Sequence, residues 1–150
     1  MFRSLFTTLA FLLPTAVSAQ TVIDCQGWQS SAQNIVEPWT EFSRTYANGD
    51  IRIALLDTVE PAAGAFYLLV MSPPYDELGS RICALVAEGD GSVGFSGIDF
   101  AAQEASYDPA TGLTITLPIQ RYDAARADFI DAWLAVTINQ ATGAILARTW

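Results

Sequence analysis

Leu113-Thr114-Ile115-Thr116-Leu117-Pro118-Ile119 places an apolar residue at every second position and a polar or turn-forming residue between. Side chains alternate across a strand, so this pattern describes a β-strand with one face in a core and the other in water. Pro118 has no N–H to give a ladder, which marks it as an edge or a strand end. Two other runs differ. Phe66-Tyr67-Leu68-Leu69-Val70-Met71 and Ile82-Cys83-Ala84-Leu85-Val86 are apolar at every position, as expected of strands covered on both faces. Something must lie on their second face.

Turns separate the apolar runs. Asn48-Gly49, Asp90-Gly91, Asp108-Pro109-Ala110-Thr111-Gly112 and Asn139-Gln140-Ala141-Thr142-Gly143 supply residues that accept positive φ in tight hairpins. The flanking segments read as strands at Glu41–Ala47, Ile51–Asp57, Phe66–Ser72, Arg81–Glu88, Ser92–Phe100, Leu113–Arg121, Trp133–Asn139 and Ala144–Thr149. Asp123–Asp131 fits either a helical face or the start of a strand. Trp28, Ala32, Ile35, Val36 and Trp39 recur at helical spacing, with Ser30 or Ser31 as cap and Pro38 ending the run. The expected fold is mainly β: a single antiparallel meander of about eight strands, a small barrel or a sandwich. A short N-terminal helix around Ser31–Glu37 packs on it.

The first residues carry an export address. Arg3 precedes the largely apolar Leu5–Val17, and Val17-Ser18-Ala19 offers small residues for a signal peptidase, which predicts cleavage between Ala19 and Gln20. The apolar stretch is shorter than the ~20 residues of a spanning helix and contains Pro14. Residues 1–19 are therefore expected as a signal peptide and 20–150 as one exported domain, periplasmic or secreted, without membrane insertion after cleavage. In an oxidising compartment Cys25 and Cys83, the only cysteines, are expected to form a disulfide.

Composition removes most catalytic chemistries. The chain has neither histidine nor lysine, so serine triads and serine–lysine dyads are excluded, and zinc hydrolysis lacks its usual ligands. Without Arg3 the mature chain holds six arginines against sixteen acids, a formal charge of −10. That balance argues against nucleic acid as a partner, and the scattered acids read as a solubilising surface. Gly89-Asp90-Gly91-Ser92-Val93-Gly94 spells the dinucleotide fingerprint, but the strand-like Phe95–Phe100 follows where a helix N-terminus is needed, so a hairpin turn accounts for the glycines. No cofactor and no metal are expected.

The remaining acid–base groups are carboxylates. Asp57, Glu60, Asp76, Glu77, Asp99, Glu104 and Asp108 lie near loops, and two converging acids would permit a glycosidase-like hydrolase. Calcium could draw on Gly89-Asp90-Gly91 and Asp108-Pro109, although no D-x-D-x-D-G loop is present. Pro73-Pro74-Tyr75-Asp76-Glu77 is a stiffened loop between the two most apolar strands and is the candidate recognition element. Trp28, Trp39, Trp133 and Trp150, with Tyr46, Tyr67, Tyr107 and Tyr122, could form a sugar or apolar-ligand platform, but aromatic residues in strands are expected mainly in the core. The leading expectation is a non-catalytic binding or interaction module for a protein or small molecule. The carboxylate hydrolase is one alternative. A small outer-membrane β-barrel is another, suggested by Trp150 after an alternating strand.

Overall fold

The protein, described here by a computed structural model over residues 18–150, is one curled antiparallel sheet forming a half-barrel. Its strands are β1 (Ser18–Asp24), β2 (Ser43–Tyr46), β3 (Ile51–Asp57), β4 (Phe66–Tyr75), β5 (Arg81–Ala87), β6 (Gly97–Ile98), β7 (Glu104–Asp108), β8 (Gly112–Asp123), β9 (Asp128–Ile138) and β10 (Ile145–Thr149). The signal segment expected over residues 1–19 lies outside the described residues, except for the backbones of Ser18 and Ala19.

The strand order, β2-β3-β4-β5-β1-β10-β9-β8-β6 with β7 also on β8, replaces the expected single meander with two. β2 to β5 form one and β7 to β10 the other, and β1 joins them. Ser18, Ala19 and Gln20 pair with Thr149, Arg148 and Ala147 of β10, whereas Thr21–Asp24 pair with Ala87–Ala84 of β5. Gln20 is buried at the point where β1 changes partner. Its amide donates to Thr149 Oγ1 at 2.9 Å and accepts from the Gly89 N–H at 3.1 Å.

The inward faces of both meanders meet in one core. Ile53, Leu68, Val70 and Val86 from one side pack with Leu117, Leu134, Val136 and Ile138 from the other, and Phe95 and Phe100 fill between them. The interior is therefore solid apolar packing.

The second face of β3–β5 is covered, as their all-apolar runs require, but not by a helix. Cys25 and Cys83 form a disulfide with Cα atoms 5.5 Å apart, which pins residues 25–36 across that face as a strap. Leu56, Tyr67, Leu85 and Ala87 form a second small core beneath it with Ile23, Cys25 and Ile35. Burial raises the Tyr67 hydroxyl's pKa, partly offset by hydrogen bonds involving Gly94 and Gln29.

The helix expected over Ser31–Glu37 is absent; two short 3₁₀ turns, Trp28–Ser30 and Ala32–Asn34, stand there instead. Side chains bind the carbonyls just ahead of that segment and hold the chain in tight turns. Ser30 Oγ donates to the carbonyls of Cys25 and Gly27, and Asn34 Nδ2 to those of Trp28 and Gln29, both at 3.0 Å. The chain then runs extended, with Ile35 bridging Leu56 and the Val36 N–H donating to the Leu55 carbonyl. A segment this short cannot offset the cost of helix nucleation against such competitors.

One open reading is settled and two further expectations change. Asp123–Asp131 is a turn followed by the first residues of β9. Ser92–Phe100 keeps only β6 as a strand, with single bridges from Val93 to Glu88 and from Phe95 to Phe66. Pro118 is neither at an edge strand nor at a strand end. It sits within β8 between the parts that pair with β7 (to Thr116) and β6 (from Ile119). A residue's N–H and C=O point to the same side of a strand, and the Pro118 carbonyl accepts from the Asp99 N–H on that side. Its missing N–H thus falls in a gap of the ladder.

Candidate functional site

The two outward faces of the half-barrel differ. The strap covers that of β3–β5; among the described residues no segment lies over that of β8–β10. Leu113, Ile115, Leu117 and Ile119 of β8, Leu134, Val136 and Ile138 of β9, and Ala147 and Thr149 of β10 point inward and are buried. Alternation turns their neighbours outward. The register aligns these in rungs across the strands: Tyr122–Phe129, then Gln120–Asp131, then Pro118–Trp133. Trp150 extends the third rung, since Trp133 and Trp150 exchange backbone hydrogen bonds at 3.1 and 3.2 Å. Further rungs carry Thr116, Ala135 and Arg148, then Thr114, Thr137 and Leu146.

A cleft of about 660 Å³ opens on this face, lined by Trp133, Trp150, Pro118, Gln120, Asp131 and Asp99 among others. The Gln120 amide donates to Asp131 Oδ1 at 3.1 Å, which orients both polar ends beside the indoles. Asp99 Oδ1 accepts from the Ala102 N–H at 3.2 Å and leaves its second oxygen free of protein donors. The Arg148 guanidinium lies 6.0 Å from the Trp150 ring centroid and can steady the indole from one side. A second cleft, of about 480 Å³, continues along the same face past Ala135 and Arg148 to Thr137 and Leu146. The surface thus combines flat apolar rings with hydrogen-bonding groups around them, the composition that holds a ligand having an apolar face and a polar rim.

The expectation that the tryptophans belong mainly to the core is overturned. All four are exposed, between 43% and 60%. Trp28 and Trp39 lie in the chain segment between β1 and β2, while Trp133 and Trp150 meet in the cleft. The inward positions that would bury the latter pair are taken by Leu134 and Thr149, one residue away on each strand.

The candidate recognition loop is a tied structure. Pro73, Pro74 and Tyr75 continue β4. The Tyr75 hydroxyl donates to Asp50 Oδ1 at 2.7 Å, and Arg81 lies over the Tyr75 ring while donating to the carbonyls of Gly49 and Asp50. Asp76 Oδ1 accepts from the N–H groups of Leu78 and Ser80, which holds its carboxyl below the usual range. Glu77 and Leu78, the latter 92% exposed, form the exposed tip of this loop.

The candidate acids do not gather. Asp108 Oδ1 accepts from Ala110 and Thr111 N–H groups within its own turn, and Asp57 Oδ1 from the N–H of Val59. Asp90 Oδ1 accepts from the Ser92 N–H, and hydrogen bonds from Ser92 lower its pKa. Both turns considered for calcium thus use an aspartate oxygen locally. Among the described residues no three acids or cysteines cluster in a way that could hold a metal ion. The fingerprint-like Gly89–Gly94 is a hairpin loop closed by Glu88 and Val93. Of the candidate acids, Asp99 alone lines the larger cleft. Gln120 and Asp131, which the sequence reading did not single out, join it there.

No protein-family model matches the chain, and neither a curated protein nor a solved structure matches it.

Proposed function

We propose that the protein is an exported, non-catalytic binding module whose partner is held on the outer face of β8–β10. The observation that carries this reading is Trp133 beside Trp150 in a cleft rimmed by Asp99, Gln120 and Asp131. Exposed aromatic pairs are costly to leave in water and are concentrated where partners are gripped. Export is supported by the Cys25–Cys83 disulfide, which belongs in an oxidising compartment; cleavage between Ala19 and Gln20 would trim Ser18 and Ala19 from the start of β1 and leave Gln20 to pair with Ala147.

Two alternatives have less support. A glycoside hydrolase needs a carboxyl shielded from water to serve as general acid, whereas Asp99 and Asp131 both stand exposed at the rim. A membrane barrel turns polar groups into its lumen, whereas here the interior is filled by Leu, Ile, Val and Phe.

The four indoles provide the test. In nuclear magnetic resonance of the 20–150 domain, titration with soluble saccharides and amphipathic peptides should shift the Trp133 and Trp150 indole signals. Those of Trp28 and Trp39 serve as internal controls. Shifts confined to Glu77 and Leu78 would move the site to the loop. Saccharide cleavage abolished by Asp99→Asn or Asp131→Asn would make the protein an enzyme.

A further inference from the structure

From the spacing of the outward rungs we infer that the ligand of this face is an extended, uncharged oligosaccharide several units long; this rests on the binding reading above. The face carries two separate aromatic rungs, Trp133 with Trp150 and Tyr122 with Phe129. The latter rings are about half exposed and meet edge to face with centroids 5.6 Å apart. Phe129 and Trp133 are four residues apart on one strand, so the rungs lie about 13 Å from each other at the usual rise per residue. No single sugar ring covers that span.

The polar rung Gln120–Asp131 lies between them. Aromatic, hydrogen-bonding, aromatic is the sequence of surfaces that a sugar chain matches. Each ring has a flat C–H face that packs on an arene, and hydroxyls at its edge donate to carboxylate and amide oxygens. An extended, β-linked chain lies flat along such a strand direction. Charge narrows the class further. The larger cleft and this rung carry Asp99 and Asp131 within a chain of net charge −9, whereas the nearby arginines are engaged elsewhere: Arg148 lies over an indole, Arg121 pairs with Glu88 and Arg126 with Asp123. A polyanionic glycan is repelled by that arrangement, and an uncharged chain with hydroxyl or amide donors is not.

The experiment is calorimetric titration of the 20–150 domain with β-linked gluco- and N-acetylglucosamine oligosaccharides from monosaccharide to hexasaccharide. Affinity should rise with length and gain about tenfold or more once the chain reaches both aromatic rungs. Phe129→Ala should remove that gain, so that the hexasaccharide binds no tighter than a disaccharide, and Tyr122→Phe, which keeps the ring, should preserve it. Trp133→Ala with Trp150→Ala should abolish binding at every length. Circular dichroism of each variant controls for folding. Equal affinity at all lengths, no saccharide binding, tighter binding of a polyanionic glycan, or burial of the face by self-association in sedimentation would each overturn the inference. If short saccharides bind and Trp133→Ala with Trp150→Ala abolishes that binding, the module reading stands even where the length dependence fails.

Discussion

The Tyr75 hydroxyl donates a hydrogen bond to Asp50 Oδ1 at 2.7 Å across a sequence separation of 25 residues. This bond ties the loop after β4 to the turn before β3, and Arg81 closes over the Tyr75 ring from the far side of the same loop.

Loss of that tie should loosen the loop without touching the aromatic face. Tyr75→Phe is expected to speed limited proteolysis within residues 76–80 and to leave saccharide binding unchanged. The bond to Asp50 also raises the Tyr75 pKa above 10.0. A raised folded-state value means that its stabilising contribution is complete below pH 10.0 and is lost as pH climbs through the folded value. Burial also raises Tyr46 and Tyr67, so alkaline ultraviolet titration should show several late-ionising tyrosines, of which one reverts toward ordinary behaviour in Asp50→Asn.

Asp76 has the opposite sign. Hydrogen bonds from Ser80 and Leu78 lower its pKa from the ordinary 3.8. Its contribution is therefore present above pH 3.8 and disappears as pH falls through the lower folded value. The Leu78 and Ser80 amide signals should move together over that acid range, and Asp76→Ala should abolish the transition. A persistent transition in the variant would assign it to another acid.

The strap depends on its disulfide. Cys25 and Cys83 are separated by 58 positions, a loop whose closure contributes about 4 kcal/mol in the chain-entropy account. Cys25→Ser with Cys83→Ser should lower the thermal midpoint by roughly 10–20 °C on the scale of such domains. The variant should also expose the small core around Leu56, Tyr67 and Leu85 to dye binding. An unchanged midpoint would mean that the strap holds by packing alone.

Gly94 marks a close approach of two chains. A Cβ there would stand 2.3 Å from the Phe66 carbonyl oxygen and 2.9 Å from the Tyr67 ring. Gly94→Ala is expected to cost about 1–3 kcal/mol or more in chemical denaturation, because backbone must move. Gly79→Ala meets no atom within 4 Å and should cost only the strain of its positive φ, about 1–2 kcal/mol.

Much of the fold can be read locally. The alternation over Leu113–Ile119 identifies β8 and its wet face, and the unbroken apolar runs at Phe66–Met71 and Ile82–Val86 require a covering layer, which Cys25 and Cys83 identify as the chain's own N-terminal segment. Asn48-Gly49, Asp90-Gly91, Asp108–Gly112 and Asn139–Gly143 all form turns where expected. The errors have causes of the same local kind. β7 is exposed on both faces and leaves no periodic signal. The segment from Trp28 to Trp39 imitates a helix because its five apolar residues keep helical spacing, although Trp28 and Trp39 point into water instead of the core.

Period and composition were sufficient for a mainly β chain, its turns, its disulfide partners and the absence of histidine and lysine chemistry, since each depends on a residue and its near neighbours. The order of strands, the joining role of β1 and the meeting of Trp133 with Trp150 required the folded sheet. Alternation says which residues share a face; it does not say which strands lie side by side or which face remains uncovered, because those depend on pairings between residues far apart in the chain.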